Sequence, residues 1–290
     1  MGRVAAKREL LIALVMALGL GAGRATWRGE GDRPGGAQIA CGLGGGRIDP
    51  PGAAEAWWTE RLVRLPGGAF CYAPPADCPL PGAAEPGSAE PGSAEPGSAE
   101  PGPVTFGSFN NLSKTNPSVI ALWSRVLRAV DGSRLLLKAR QLADPAVGER
   151  LRQRFQRHGV DPARIEFAGR TASQAAHLAL YGRIDVALDT FPYNGTTTTC
   201  EALWMVTPVV TLAGDRAVAR YGLSLLHPAN CADWAASDAD EFVAIATALV
   251  PFRPTRAALR ARPAPPPLTP RPLPPARRAA APASRSRAPA

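Results

Sequence analysis

Residues 185–204 read DVALDTFPYNGTTTTCEALW, and the fold turns on this stretch. Its first five residues are an apolar run bounded by two aspartates, the pattern of a short strand buried on both faces. Thr190 to Gly195 contain a proline and an Asn-Gly pair, which are turn residues. Four threonines then lead into a short apolar helix. Threonine is a mediocre helix former, and one hydroxyl is enough to cap a helix. Four in a row leave hydroxyls and amides for some other partner.

The alternation extends outward from there. Upstream, VTFGSF (104–109) reads as a strand. Asn116 is placed to cap a helix with Pro117 in its first turn, and Val119, Ile120, Trp123, Val126, Leu127 and Val130 supply its apolar face. An Asp-Gly-Ser turn leads into RLLLKA (134–139), a second strand, and Asp144-Pro145 opens a helix that Gly159 closes. RIEFAG (164–169) is a third strand, with a helix following over about Ser173 to Tyr181. Downstream, PVVTLAG (208–214) is a strand, and Ser237 with Asp240 reads as a capping box for DEFVAIATALV (240–250). Strands alternating with helices predict a parallel sheet covered on both faces. Residues 103–250 are therefore expected to form one doubly wound, Rossmann-like α/β lobe.

In such sheets ligands sit outside the carboxyl ends of the strands. The threonine helix begins there, and the first turn of a helix offers unpaired N–H groups and the positive end of its dipole to an anion. Gly195 allows close backbone approach, the hydroxyls of Thr196 to Thr199 add donors without charge, and Glu201 can accept from a ribose. A diphosphate carrying a sugar fits this loop. An Asn-Gly turn and a threonine cap also occur as plain structure, so the pattern alone leaves both readings open.

Composition constrains the rest. The chain has 290 residues and a formal net charge of +9, but the excess is local. Nine of its 33 basic residues are arginines within 251–290, a Pro/Ala/Arg stretch without an acid, and the other 24 match the 24 acidic residues. That stretch is expected to be a disordered tail. Loose adhesion to RNA, DNA or acidic lipid is the other reading, and no specific nucleic-acid partner is implied. Residues 83–102 include EPGSAEPGSAEPGSAEPG (85–102), a repeat with nothing to bury, hence a disordered linker. Residues 46–82 hold one short amphipathic helix and a strand-like end, too little for an independent domain.

Five cysteines, at 41, 71, 78, 200 and 231, fit no CxxC or Cys/His ligand spacing. No metal site is expected, and reduced thiols suit a cytoplasmic protein. Residues 1–45 are of uncertain status. Their basic start and apolar run from Leu10 to Leu20 fit a signal peptide, a buried helix or a misplaced start, and export is the alternative to a cytoplasmic location. The run is too short to span a membrane.

Several blocks together resemble a known family. FGSFNNLSKTNPSVIALWSRVL (106–127), LLLKARQLADP (135–145), HLALYGRIDVALDTFPYNGTTTTCEALW (177–204) and PVVTLAGDR (208–216) are similar, in order, to the C-terminal catalytic half of the protein O-linked N-acetylglucosamine transferases, in the bacterial SPINDLY-like branch. RIDPPG with TERLVRLPGGAFCY resembles the end of the family's N-terminal half, which makes 46–82 its remnant. The resemblance implies a two-lobed GT-B glycosyltransferase. It also implies UDP-N-acetylglucosamine as donor, inversion at the anomeric carbon and transfer to Ser or Thr hydroxyls of proteins, with no cofactor and no required metal. Lys114 then stands where a lysine meets the diphosphate and stabilises the departing UDP. Asn111 stands where a Gln or Asn reaches the nucleotide, and His177 near the uridine and phosphate. Ala172 is expected beside the uracil through its backbone. Asn194 and Gly195 lead into the phosphate loop of Thr196, Thr197 and Thr198, and Glu201 faces the ribose.

The departures are specific. The family's N-terminal lobe is matched only by that short remnant, no tetratricopeptide repeats are present, and Val206-Thr207 stand where the family pattern is usually Gly-Val. The arginine-rich tail replaces the closing helices. The alternative to an active transferase is therefore a truncated, catalytically inactive nucleotide-sugar-binding remnant.

Overall fold

The computed structural model describes residues 47–52, 70, 72, 75, 78 and 102–252. The N-terminal segment, most of the linker and the arginine-rich tail lie outside the described residues. Six strands form the sheet: β1 (Thr105–Ser108), β2 (Arg134–Lys138), β3 (Ile165–Ala168), β4 (Val186–Leu188), β5 (Val209–Leu212) and β6 (Ala235–Ala236). Their order is β3-β2-β1-β4-β5-β6, and every pairing is parallel. This is the strand order of a doubly wound, Rossmann-like lobe, as the alternation predicts.

Six α-helices connect the strands: α1 (Pro117–Ala129), α2 (Pro145–Arg157), α3 (Gln174–Ala179), α4 (Thr197–Trp204), α5 (Tyr221–Leu226) and α6 (Ala239–Ala248). α1 starts where its sequence says it should, with Oδ1 of Asn116 accepting the Val119 N–H at 3.0 Å and Pro117 in the first turn. Val119, Ile120, Trp123, Val126 and Leu127 are all buried, so the apolar stripe faces the core. α1 packs against α2 and α6, while α4 packs against α5 and β5. With layers on both faces, β2 and β4 bury continuous apolar runs. Arg164 fastens the far edge, its guanidinium donating to the carbonyls of Leu127, Val130 and Ser133 where α1 runs into β2.

Two local expectations are corrected, and two short elements were not anticipated. The cap of α6 is Asp238, not Ser237. Asp238 is extended, and its carboxylate accepts the N–H groups of Asp240 and Glu241, each at 2.8 Å. Glu241 reaches back to the Ser237 N–H at 2.7 Å, so a reciprocal cap does form, displaced by one residue at the acceptor. The helix expected to reach Tyr181 stops at Ala179 and tightens into a 3-10 turn over Leu180–Arg183. Finally, α5 and β6 carry too short a pattern to be recognised in sequence.

Val206 has φ of 57°, in the left-handed region that a β-branched residue rarely occupies. Val206 is one of the two residues at which the sequence departs from the Gly-Val pattern of the family it resembles. Part of segment 47–52 lies against the lobe: Ile48 and Asp49 are buried, and Arg220 Nε donates to the Arg47 carbonyl at 2.6 Å.

Candidate functional site

The strand order reverses between β1 and β4, so the chain leaves these neighbours in opposite directions and a crevice opens at their carboxyl ends. A small pocket lies there, lined by Ser108, Asn110, Asp189, Thr198 and Thr199 among others. The hydroxyl of Ser108 is buried within it without a hydrogen-bond partner. Two groups of polar residues flank the crevice.

The first gathers around Lys114, which ends the 3-10 turn Leu112–Lys114 after β1. Its Nζ donates to the Asn194 carbonyl at 2.9 Å and lies 4.2 Å from the centre of the Tyr193 ring. Burial lowers the Lys114 pKa, and the neighbouring Asp189 works against that shift. Half of Tyr193 is exposed, the largest apolar side chain left open among the described residues. The backbone therefore brings Lys114 to the mouth of the loop that carries Gly195 and the threonines, from 80 residues away in sequence.

That loop is held by hydrogen bonds to a buried carboxylate. Asp189, at the end of β4, is 2% exposed, and its Oδ1 accepts the Gly195 N–H at 2.7 Å and the Thr190 N–H at 2.8 Å. Oδ2 accepts the Thr211 hydroxyl at 2.8 Å. Desolvation raises the Asp189 pKa from 3.8 to about 6, although each of these donors pulls it down. A Cβ on Gly195 would fall 2.6 Å from Oγ1 of Thr198 and 2.9 Å from that of Thr199, so only glycine fits.

The threonines differ from one another. Thr196 occupies the N-cap position of α4 but makes no side-chain cap bond. Thr197 is exposed, Thr198 donates its hydroxyl to Asn110 Oδ1 at 3.1 Å, and Thr199 is buried. The run is therefore not a set of caps.

The second group surrounds Glu201, one turn into α4. Its Oε2 is 2.8 Å from His177 Nε2 and 3.1 Å from the Tyr181 hydroxyl, and its Oε1 accepts from Gln174 Nε2 at 3.2 Å. On the other side of the imidazole, Lys138 Nζ lies 2.9 Å from Nδ1. Burial pushes the Tyr181 pKa well up, reinforced by the charge of Glu201. The Phe109 ring packs on Tyr181 at 4.4 Å and closes this group toward β1.

The site residues anticipated from sequence thus fall into several situations. Lys114, Gly195, Thr196, Thr197 and Thr198 share one edge of the crevice, and His177 and Glu201 touch each other. Asn111 caps its own 3-10 turn, its Oδ1 accepting the Ser113 N–H at 3.0 Å. Ala172 is exposed just before the Ser173 cap of α3. Asn194 differs most from expectation, because its side chain points inward and bonds Thr190 O, Leu212 O and Gly222 N–H. Only its carbonyl meets Lys114. Sequence reasoning missed Asn110, Lys138, Gln174, Tyr181 and the organising role of Asp189. Lys138 ends β2 and Asp189 directly follows β4, and that position was the available signal. No cluster of three potential metal ligands exists among the described residues, and no helix among them is long and apolar enough to cross a membrane.

Comparison with known proteins agrees with this architecture. A tomato (Solanum lycopersicum) protein, "Probable UDP-N-acetylglucosamine--peptide N-acetylglucosaminyltransferase SPINDLY", is 35% identical over 222 residues, covering 75% of this chain and 22% of the tomato protein. A Caenorhabditis elegans UDP-N-acetylglucosamine--peptide N-acetylglucosaminyltransferase is 34% identical over 147 residues, which is 50% of this chain and 12% of that protein. Among solved structures, a mutant of the Thermobaculum terrenum O-GlcNAc transferase superposes with a TM-score of 0.64 at 38% identity, over 75% of this chain and 38% of that one. The chain thus spans about a fifth of the tomato relative's length. The model of glycosyl transferase family 41 matches residues 99–264, more than half of the sequence, and the chain belongs to that family.

Proposed function

We propose that the chain binds UDP-N-acetylglucosamine in the crevice between β1 and β4, with the diphosphate on Lys114 and the first turn of α4, for transfer of the sugar to Ser or Thr hydroxyls of proteins. The observation that carries this reading is the approach of Lys114 Nζ to the Asn194 carbonyl, at 2.9 Å. It sets a cation beside the start of a helix whose first amides and whose Thr196 and Thr197 hydroxyls have no partner among the described residues. The names of the relatives supply the sugar and the peptide acceptor.

In the transfer, an acceptor oxygen attacks the anomeric carbon from the face opposite the diphosphate. The bond to the β-phosphate oxygen breaks with its electron pair, and the acceptor proton is lost to a base. Negative charge grows on the departing UDP, where Lys114 and the α4 amides, already oriented, stabilise it. The loop needs no metal in this scheme, since the lysine and the neutral donors meet the charge. Glu201, fixed by His177, Tyr181 and Gln174, stands a turn deeper for the ribose.

Titration calorimetry with UDP tests the reading. Wild type should bind without added metal and in the presence of EDTA, and Lys114→Ala should lose about 1.5–3 kcal/mol, the range for a hydrogen bond to a charged group. Equal affinity of the two proteins would remove Lys114 from the site. A donor-binding remnant without turnover predicts the same binding but no labelled sugar on a Ser/Thr peptide, so that assay separates the two readings.

A further inference from the structure

Lys138 is a cation beside the crevice to which neither the diphosphate nor the ribose assigns a role. It ends β2, is half-buried, and places Nζ 2.9 Å from Nδ1 of His177. An ammonium group carries donors only, so Nδ1 must be the acceptor in this contact. The ring then carries its proton on Nε2, which lies 2.8 Å from Glu201 Oε2 and donates to it. An ionised carboxylate only accepts, so Glu201 demands the same arrangement, and Lys138 and Glu201 hold the ring from its two sides. With the proton on Nδ1 instead, Nε2 would turn a lone pair toward a carboxylate oxygen.

Water is poorly placed to repair such a mismatch, because His177 is 9% exposed and Glu201 4%. Gln174 and the Tyr181 hydroxyl reach Glu201 from other sides, and neither touches the imidazole through a hydrogen bond. The alternative, a lysine that merely neutralises Glu201 from a distance, gives no reason for an ammonium to sit against a ring nitrogen with the ring between the two charges. Burial also lowers the Lys138 pKa, against the attraction of Glu201, so its place in the cluster costs free energy.

We infer that Lys138 is a positioning residue: by keeping a proton off Nδ1 it holds His177, together with Glu201, as the Nε2–H tautomer, and through that ring it orients the Glu201 carboxylate toward the ribose of the bound nucleotide. The ribose half rests on the nucleotide-sugar reading above, while the tautomer half concerns the ligand-free protein alone.

The experiment is 15N NMR of the histidine rings in the full, ligand-free chain, paired with UDP calorimetry. The chain has three histidines, so His177 can be assigned by its substitution. Wild type should show His177 with Nε2 protonated and Nδ1 bare at neutral pH. Lys138→Arg should keep that pattern, since guanidinium is also only a donor, and should bind UDP within about threefold of wild type. Lys138→Met frees Nδ1 to take a proton while Glu201 still accepts from Nε2, so it should give a doubly protonated ring, with UDP affinity about tenfold weaker. A protonated Nδ1 in the wild type, or an unchanged ring pattern in Lys138→Met, overturns the inference. The wild-type spectrum decides the tautomer even if Lys138→Met fails to fold. The expected ring pattern together with no UDP binding by the wild type would overturn the nucleotide reading and the ribose half with it, and would leave the tautomer standing.

Discussion

Oδ1 of Asp189 accepts the Gly195 N–H at 2.7 Å, so one carboxylate ties the end of β4 to the start of the threonine helix. The same oxygen takes the Thr190 N–H and Asn110 Nδ2, and Oδ2 takes the Thr211 hydroxyl, so both walls of the crevice hang on it. Asp189→Ala leaves these donors unpaired in a dry site, at a cost of at least about 2 kcal/mol. Urea unfolding should show the loss as a lower midpoint. A loss within about 0.5 kcal/mol would show that the loop holds its shape without the carboxylate.

The same residue predicts a pH dependence with a definite sign. The folded protein holds the Asp189 proton more tightly than the unfolded chain does, because burial lifts the pKa from 3.8 to about 6. The stability contributed by this group is therefore fully present below about pH 4 and lost as pH rises through about 6. Its full size is on the order of 3 kcal/mol. In Asp189→Asn the titration disappears, while other groups, such as the Glu241 carboxyl that Ser237 pulls down, cancel in the comparison. The difference, wild type minus Asn variant, should fall between pH 4.5 and 7 in paired urea titrations. A difference that holds or grows would mean that the donors outweigh burial.

Much of this architecture is legible in sequence because periodicity and caps are local. Asn116-Pro117 and Asp144-Pro145 mark helix starts by chemistry contained within three residues, and the observed caps of α1 and α2 use those side chains. The threonine loop is legible for the same reason. What sequence could not supply is partnership across the sheet. Lys138 and His177 are 39 residues apart, and Asn110 and Asp189 are 79 apart. Only the order β2-β1-β4 brings them to one crevice. The inward turn of the Asn194 side chain is hidden from sequence for the same reason, since its amide bonds the carbonyls of Thr190 and Leu212, the latter 18 residues on.

Val206 makes a sequence departure physical. Its φ of 57° suits glycine, and a β-branched residue there costs about 1–2 kcal/mol of backbone strain. Its side chain is nevertheless buried at 4% exposure, which contributes roughly 1.5–3 kcal/mol in return. The two partly offset, so Val206→Gly should cost no more than about 2 kcal/mol. A control at Val119, buried in α1 with ordinary helical geometry, should lose more than about 3 kcal/mol on the same change, from lost packing and helix propensity. Equal losses at the two sites would mean that no strain is stored at Val206.

The threonines give the sharpest division between structural and ligand roles, because their surroundings differ while their chemistry is the same. Thr198 donates to Asn110 Oδ1 at 3.1 Å, so Thr198→Ala should lower both the stability of the free protein, by about 1 kcal/mol, and its affinity for UDP. Thr197 is exposed and its hydroxyl has no partner among the described residues. Thr197→Ala should therefore leave the free protein within about 0.5 kcal/mol of wild type in urea unfolding. In calorimetry the same change should weaken UDP by about 0.5–1.5 kcal/mol, the value of one hydrogen bond. Uridine has the same base and ribose but no phosphate, so Thr197→Ala should leave its affinity unchanged. If UDP and uridine lose equally, the hydroxyl acts on the shape of the nucleoside pocket, and the diphosphate does not lie on the first turn of α4.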